Sequence, residues 1–293
     1  MKKQVSLVLS SGGARGIAHI GVIEELERQG FEIKSIAGSS MGALVGGIYA
    51  SGNLPNFRDW ICKLDKKAVF NLIDFTLSSN GLVKGNKVIK EINKLVPDVN
   101  IEDLNISFKA VATDIINKKE IVIEKGSLID AIRASISIPT VFTPFKLNEL
   151  VLVDGGVLNP LPINRVKRDD DEILIAVDVN AVFTPEKLSK SHNLLSEEAQ
   201  SEWHHFPFIM KNGFRSSTKD SDKQLNYYTL IYQTAVMMMQ QIAKMSKEMY
   251  KPDIVIDIPI NTYGAFQFYN ASEIIETERI AAQKALEQYS SIQ

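Results

Sequence analysis

Sulfur chemistry is nearly absent from this chain: 293 residues include one cysteine, Cys62. An intramolecular disulfide is excluded, as is a zinc site built from several thiolates, and a reducing compartment fits best. A surplus of one charge is missing too. Lys and Arg number 33 against 35 Asp and Glu, a net charge of −2. The basic excess of a nucleic-acid binder is therefore lacking, and no nucleic-acid partner is expected. No apolar run approaches the roughly 18 residues of a membrane span. After Met1-Lys2-Lys3 the apolar stretch covers only residues 5–9, with Ser6 inside it, shorter than an export signal. The expectation is a cytoplasmic protein, with peripheral membrane contact left open. The sequence has no internal repeat and carries no signal of oligomeric state.

What is present is a sizeable apolar fraction, 45% of residues, arranged in alternating short runs and helical periods. Residues 5–9 read as a strand, Ser10-Ser11-Gly12-Gly13 as a turn, and Ile17, Ile20, Val22, Ile23 and Leu26 as the apolar face of a helix running from Gly16. A second strand over 33–37 runs through Gly38-Ser39-Ser40-Met41-Gly42 into a helix over 43–50. This β-α-β-α pattern predicts a parallel sheet with covering helices. Further strands are expected at 108–113, 120–124, 150–153, 173–179 and 254–258, and helices at 86–95, 128–135, 227–250 and 272–289, the last capped by Ser272. Residues 184–226 shift towards Ser, Lys, Glu, Gln and Asn without a sustained period and read as an extended insertion. The fold class expected is α/β, three layers with a mainly parallel central sheet. A core over 1–180 would carry the chemistry, and residues 181–293 would pack on the same globule.

Gly38-Ser39-Ser40-Met41-Gly42 is Gly-x-Ser-x-Gly set between a strand and a helix. In that context the central serine sits on a tight turn whose flanking positions leave no room for side chains. Three fixed positions of residue types at roughly 7% each should coincide about 0.1 times in a chain this long, so the context matters more than the string. The helix after Ser40 would aim its N-terminus at the reacting centre and favour an anion there. The simple alternative is a Gly/Ser turn with a helix cap. Ser11-Gly12-Gly13-Ala14-Arg15-Gly16 offers backbone N–H groups to an oxyanion, and parallel adjacent strands would bring it to the same sheet edge. A phosphate or dinucleotide loop is the competing reading, but this run matches neither Gly-x-Gly-x-x-Gly nor Gly-Lys-Ser/Thr, and no acid ends the second strand.

Asp154 closes the strand that starts at Leu150 and is followed by Gly155-Gly156, a candidate base with a turn-forming aspartate as the plain alternative. Of the four histidines, His19 lies in the first helix and reads as a packing or surface residue. His192, His204 and His205 lie in the polar insertion, a poor place from which to hold an imidazole against Ser40. This favours two catalytic residues over three. Arg15 either holds its own loop or meets an anionic group, with a surface salt bridge as the plain alternative.

Taken together, Ser11-Gly12-Gly13-Ala14-Arg15-Gly16, Gly38-Ser39-Ser40-Met41-Gly42 and Asp154-Gly155-Gly156 resemble the patatin-like phospholipases, particularly their bacterial members. Ala131-Ile132-Arg133-Ala134-Ser135-Ile136-Ser137-Ile138-Pro139 and Asn159-Pro160-Leu161-Pro162 are similar to that family too. The resemblance covers about residues 5–180. It implies a hydrolase core with Ser40 as nucleophile, Asp154 as general base, Gly12, Gly13 and Arg15 as oxyanion site, and Gly38 and Gly42 shaping the elbow. It implies a lipid or small ester as substrate, with no metal and no cofactor. Ser11 departs from the pattern, standing where many members carry a third glycine. Asp154 is expected to be tuned modestly from its ordinary pKa. A nucleotide-binding or catalytically silent regulatory protein remains the alternative.

Access to the site rests on two further segments. Met237, Met238, Met239, Met245 and Met249 lie on the 227–250 helix, either as a core helix packed on the sheet or as adaptable side chains meeting acyl chains; the former is the simpler expectation. Trp203, Phe206, Phe208, Ile209 and Phe214 in the insertion either touch a bilayer as a lid or anchor the loop.

Overall fold

A computed structural model of the chain describes residues 3–72, 75–78, 81–182 and 227–292. The elements in chain order are β1 (Lys3–Leu9), α1 (Ala18–Arg28), β2 (Phe31–Ser39), α2 (Met41–Ala50), α3 (Leu54–Ile61), α4 (Lys66–Asn71), β3 (Phe75–Ser78), β4 (Gly81–Val83) and α5 (Asn86–Leu95). They continue with β5 (Ser107–Asp114), β6 (Lys119–Ile123), α6 (Leu128–Ser135), β7 (Phe145–Leu147), β8 (Leu150–Asp154), β9 (Ile173–Ala181), α7 (Tyr227–Tyr250), β10 (Ile254–Pro259) and α8 (Ala271–Ile292). A 3-10 turn at Gly13–Ile17 leads into α1.

The main sheet has eight strands in the order β10-β9-β1-β2-β5-β8-β7, with β6 also pairing to β5. Strands β10, β9, β1, β2 and β5 run parallel, β6 and β8 each pair antiparallel with β5, and β7 pairs antiparallel with β8. Alternation along β1 shows why the sheet is covered on both faces. Val5, Leu7 and Leu9 enter the larger core with residues of α1, α2 and α8, while Val8 joins Leu161, Leu174 and Ala243 of α7 on the other face. This is the expected α/β/α layering.

The segment beyond residue 180 completes this body. β10 forms the sheet edge against β9. α8 lies along α1, where the buried Glu25 carboxylate takes hydrogen bonds from Arg28, Gln29 and Arg279. α8 starts at Ala271, straight from a 3-10 turn at Phe268–Asn270, so Ser272 lies inside its first turn and does not cap it.

Helix α7 departs from the simpler expectation. Its inner side buries Ala243, and polar anchors hold it: Gln240 to the Asn180 carbonyl at 3.0 Å, Ser246 to the Leu161 carbonyl at 3.1 Å, and Lys247 between Asp178 and Asp257 at 2.9 and 2.8 Å. Among the described residues Met237, Met238, Met245 and Met249 stay exposed, so the methionines are not core. The polar insertion and its aromatic residues lie outside the described residues, as do His192, His204 and His205. None of the helices among the described residues is long and apolar enough to cross a membrane.

Candidate active site

Ser40 and Asp154 meet because of how β5 is shared. Its residues Ala110–Asp114 pair with β6 on one edge. The other edge is occupied in succession, by parallel β2 up to the pair Ser39 with Val111, then by antiparallel β8 starting at the pair Asp154 with Ala112. The carboxyl ends of β2 and β8 therefore arrive head to head at neighbouring residues of one strand. Ser40 follows β2 and Asp154 ends β8, and their side chains are hydrogen bonded, Ser40 Oγ to Asp154 Oδ2. Both residues are buried.

The elbow is tight in the way the motif requires. Ser40 has φ 52° and ψ −120°, a left-handed conformation that a side-chain-bearing residue adopts only where its surroundings enforce it. A Cβ on Gly42 would stand 2.2 Å from the Leu9 carbonyl oxygen, and one on Gly38 would stand 2.5 Å from the Ala43 nitrogen, so neither position admits another residue without movement of backbone. Ser40 is also the residue that starts α2, which sets the positive end of that helix at the serine.

Asp154 is held through both carboxylate oxygens. Oδ2 takes the serine hydroxyl, and Oδ1 accepts the Gly156 N–H at 2.7 Å. Both hydrogen bonds favour the ionised form, yet burial outweighs them and pushes the Asp154 carboxyl up to about 7. This corrects the expectation of a modest adjustment: the sequence shows hydrogen-bonding partners but not how completely water is excluded.

The glycine-rich loop lies beside them. Ser11 and Ala14 direct their N–H groups to the carbonyls of Pro160 at 2.9 Å and Ala265 at 2.8 Å, while the amides of Gly12 and Gly13 meet no acceptor among the described residues. The Ser11 side chain fills space against Gly156, its Oγ lying 3.1 Å from where a Gly156 Cβ would be. The Arg15 side chain is buried rather than in a surface salt bridge, and its contacts match the loop-holding reading. Nη2 donates to Asn180 Oδ1 at 2.9 Å and Nη1 to the Tyr263 carbonyl at 3.5 Å, so it ties the loop to β9 and to the segment after β10. Asn180 in turn donates to the Ser11 carbonyl at 2.6 Å.

His19 is a packing residue, fully buried, with Nε2 donating to the Ser10 carbonyl at 2.9 Å. Burial lowers its pKa to about 4, so the ring is neutral, and its hydrogen bond braces the loop without reaching Ser40. Sequence reasoning gave no role to Asn180, Ser135 or Ser137. Asn180 had no signal of its own, and the two serines stood inside a recognised run without an assigned contact.

Comparison with known proteins places this arrangement. Residues 7–166 match the sequence model of the patatin-like phospholipases. The chain belongs to the patatin-like phospholipase family. An uncharacterized NTE family protein of Mycobacterium tuberculosis is 31% identical over 98% of this chain and 92% of its own length. The lysophospholipase NTE1 of Candida albicans is 36% identical over 61% of this chain, which matches 13% of that longer protein. Among solved structures, VipD of Legionella pneumophila superimposes with a TM-score of 0.51 at 13% identity, over 98% of this chain and 67% of VipD, and shares the fold. Membership of this phospholipase family supports activity as a lipid hydrolase.

Proposed function

We propose that this patatin-like phospholipase is a lipid acyl hydrolase of the phospholipase A, lysophospholipase or esterase type, working through a Ser40–Asp154 dyad and an acyl-enzyme. The observation that carries the reading is the buried hydrogen bond between Ser40 Oγ, on its strained elbow, and Asp154 Oδ2. As Oγ forms a bond to the ester carbonyl carbon, its proton passes to Asp154. The carbonyl oxygen becomes an oxyanion, whose stabilisation this reading assigns to the free amides of Gly12 and Gly13, the Arg15 amide and the N-terminus of α2. Collapse of this intermediate breaks the carbon–oxygen bond to the leaving alcohol, and Asp154 returns the proton to that alcohol. Water then attacks the acyl-enzyme, giving its proton to Asp154, and Ser40 leaves as the free hydroxyl when the proton is passed back. An aspartate poised near neutrality suits both directions of transfer better than one near its ordinary value.

The nucleotide reading loses its footing at the same loop. A phosphate cradle needs a run of free amides, whereas Ser11 and Ala14 have theirs engaged with Pro160 and Ala265. The name of the Candida relative makes lysophospholipids the first substrates to try. Fatty-acid release from lysophospholipid, phospholipid and short-chain esters by the purified protein tests the proposal. Wild type releases acid from at least one class, and Ser40→Ala and Asp154→Asn each lose about a thousandfold or more in kcat while remaining folded. A folded wild type inert on every class, or variants that keep its rate, would contradict it.

A further inference from the structure

The C-terminal end of α6 touches the backbone of both residues proposed to react. Ser135 Oγ accepts the Ser40 N–H at 2.8 Å and donates to the Val111 carbonyl at 2.6 Å. Two residues on, the Ser137 carbonyl accepts the Asp154 N–H at 2.9 Å. The Ser137 hydroxyl is fixed in turn, accepting from Arg133 Nη1 at 2.6 Å and donating to the Arg133 carbonyl at 2.8 Å. Arg133 is itself buried, its guanidinium lying 5.8 and 5.6 Å from the ring centres of Phe142 and Phe145. Its Nη2 donates to the carbonyls of Lys84 at 2.7 Å and Thr143 at 3.1 Å, so the end of α6 is fastened to the chain on both sides of it.

These contacts fall where β5 leaves the site underdetermined. Val111, the acceptor of Ser135, is the β5 residue opposite Ser39, and its neighbour Ala112 is opposite Asp154. Strand pairing brings the two ends together but leaves two amides to be held by other partners: Ser40 has already turned out of the sheet, and the Asp154 N–H, at the last residue of β8, is directed to Ser137. The Ser40 N–H precedes the hydrogen-bonded ladder of α2, and a buried amide of this kind needs an acceptor from elsewhere. The serine's left-handed conformation persists only where neighbours impose it.

We infer that Ser135 and the Arg133-clamped Ser137 are positioning residues that keep nucleophile and base in register, Ser135 through the Ser40 amide and Ser137 through the Asp154 amide. Neither reaches the reacting atoms. Ser135 acts through an elbow it holds in place, and Ser137 through its backbone carbonyl, its side chain being fixed by Arg133. The inference rests on the Ser40–Asp154 chemistry proposed above.

The test is kcat and KM on a soluble short-chain ester, expressed per active site titrated with a fluorophosphonate, for wild type, Ser135→Ala and Arg133→Lys. Loss of a merely structural contact lowers the titratable fraction and leaves turnover per site unchanged. A positioning role lowers turnover per site: about tenfold to a hundredfold for Ser135→Ala and about tenfold for Arg133→Lys, with KM within about twofold of wild type. Should Ser135→Ala fail to fold, Arg133→Lys, which keeps the buried cation and loses its fork, reads the same effect from the Asp154 side. Wild-type turnover per site in the folded variants overturns the inference alone. A wild type with no titratable site overturns the proposed function and this inference with it.

Discussion

At Asp154, the proposed general base, burial and hydrogen bonds pull in opposite directions. Burial wins and holds its carboxyl at about 7. A general base must be ionised in the free enzyme, so kcat/KM should climb about tenfold per pH unit below that value and level off above it. A profile measured on a soluble ester checks this, and a rising limb near pH 4 would mean that burial does not raise the Asp154 carboxyl from its ordinary value. The serine, the aspartate and the glycine loop were legible in the sequence because each needs a residue type at a fixed place: a hydroxyl on an elbow, an acid at a strand end, and backbone free of side chains. The magnitude of the shift was not legible, because it depends on water exclusion by Ser11, Gly156 and the elbow at once. Holding the loop was one role legible for Arg15, but its partners Asn180 and Tyr263 were not, since they lie far along the chain.

Among the elements, long periodic or continuous apolar segments were readable, and short ones were not. β1, β2, β5, β8, β9 and β10 fall where apolar runs predicted them. α3 and α4 are eight and six residues long, too short to show a period; α4 is set by the Asp65 side chain, which accepts the Ala68 N–H at 2.6 Å. The three-residue β7 exists only through its pairing with β8. What no pattern could show is the change of partner along β5, and that change is what joins Ser40 to Asp154. On α8, Glu278 is buried with Oε1 unpartnered among the described residues, and desolvation pushes its carboxyl up to about 7. Its protonated form is the one the fold accepts. Its unfolded pKa lies near the ordinary carboxylate value, so this group weakens the fold progressively as pH rises from about 4.5 to about 7, and the penalty is complete above that range. Glu278→Gln should therefore raise unfolding free energy by roughly 2 kcal/mol at pH 8 and leave it nearly unchanged at pH 4, by denaturant titration at both pH values. Equal effects at the two pH values would contradict the account.

For the molecule as a whole, the near balance of charge means that bulk attraction does not draw it to anionic lipid, and contact with a lipid substrate falls to local features. The segment after residue 180 is part of the site's support. Although the family match ends at residue 166, Asn180, Tyr263 and Ala265 hold the glycine loop, and α8 covers the first helix. The central claim is that this scaffold makes one serine reactive, and locating a covalent adduct tests it most directly. Wild-type protein is treated with a fluorophosphonate, digested and mapped by mass spectrometry, beside Asp154→Asn and a variant with His192, His204 and His205 all changed to alanine. The account predicts an adduct on the peptide containing Ser40, strongly reduced in Asp154→Asn and retained without the three histidines. An adduct on a different serine, or loss of the Ser40 adduct with the histidines, would contradict it.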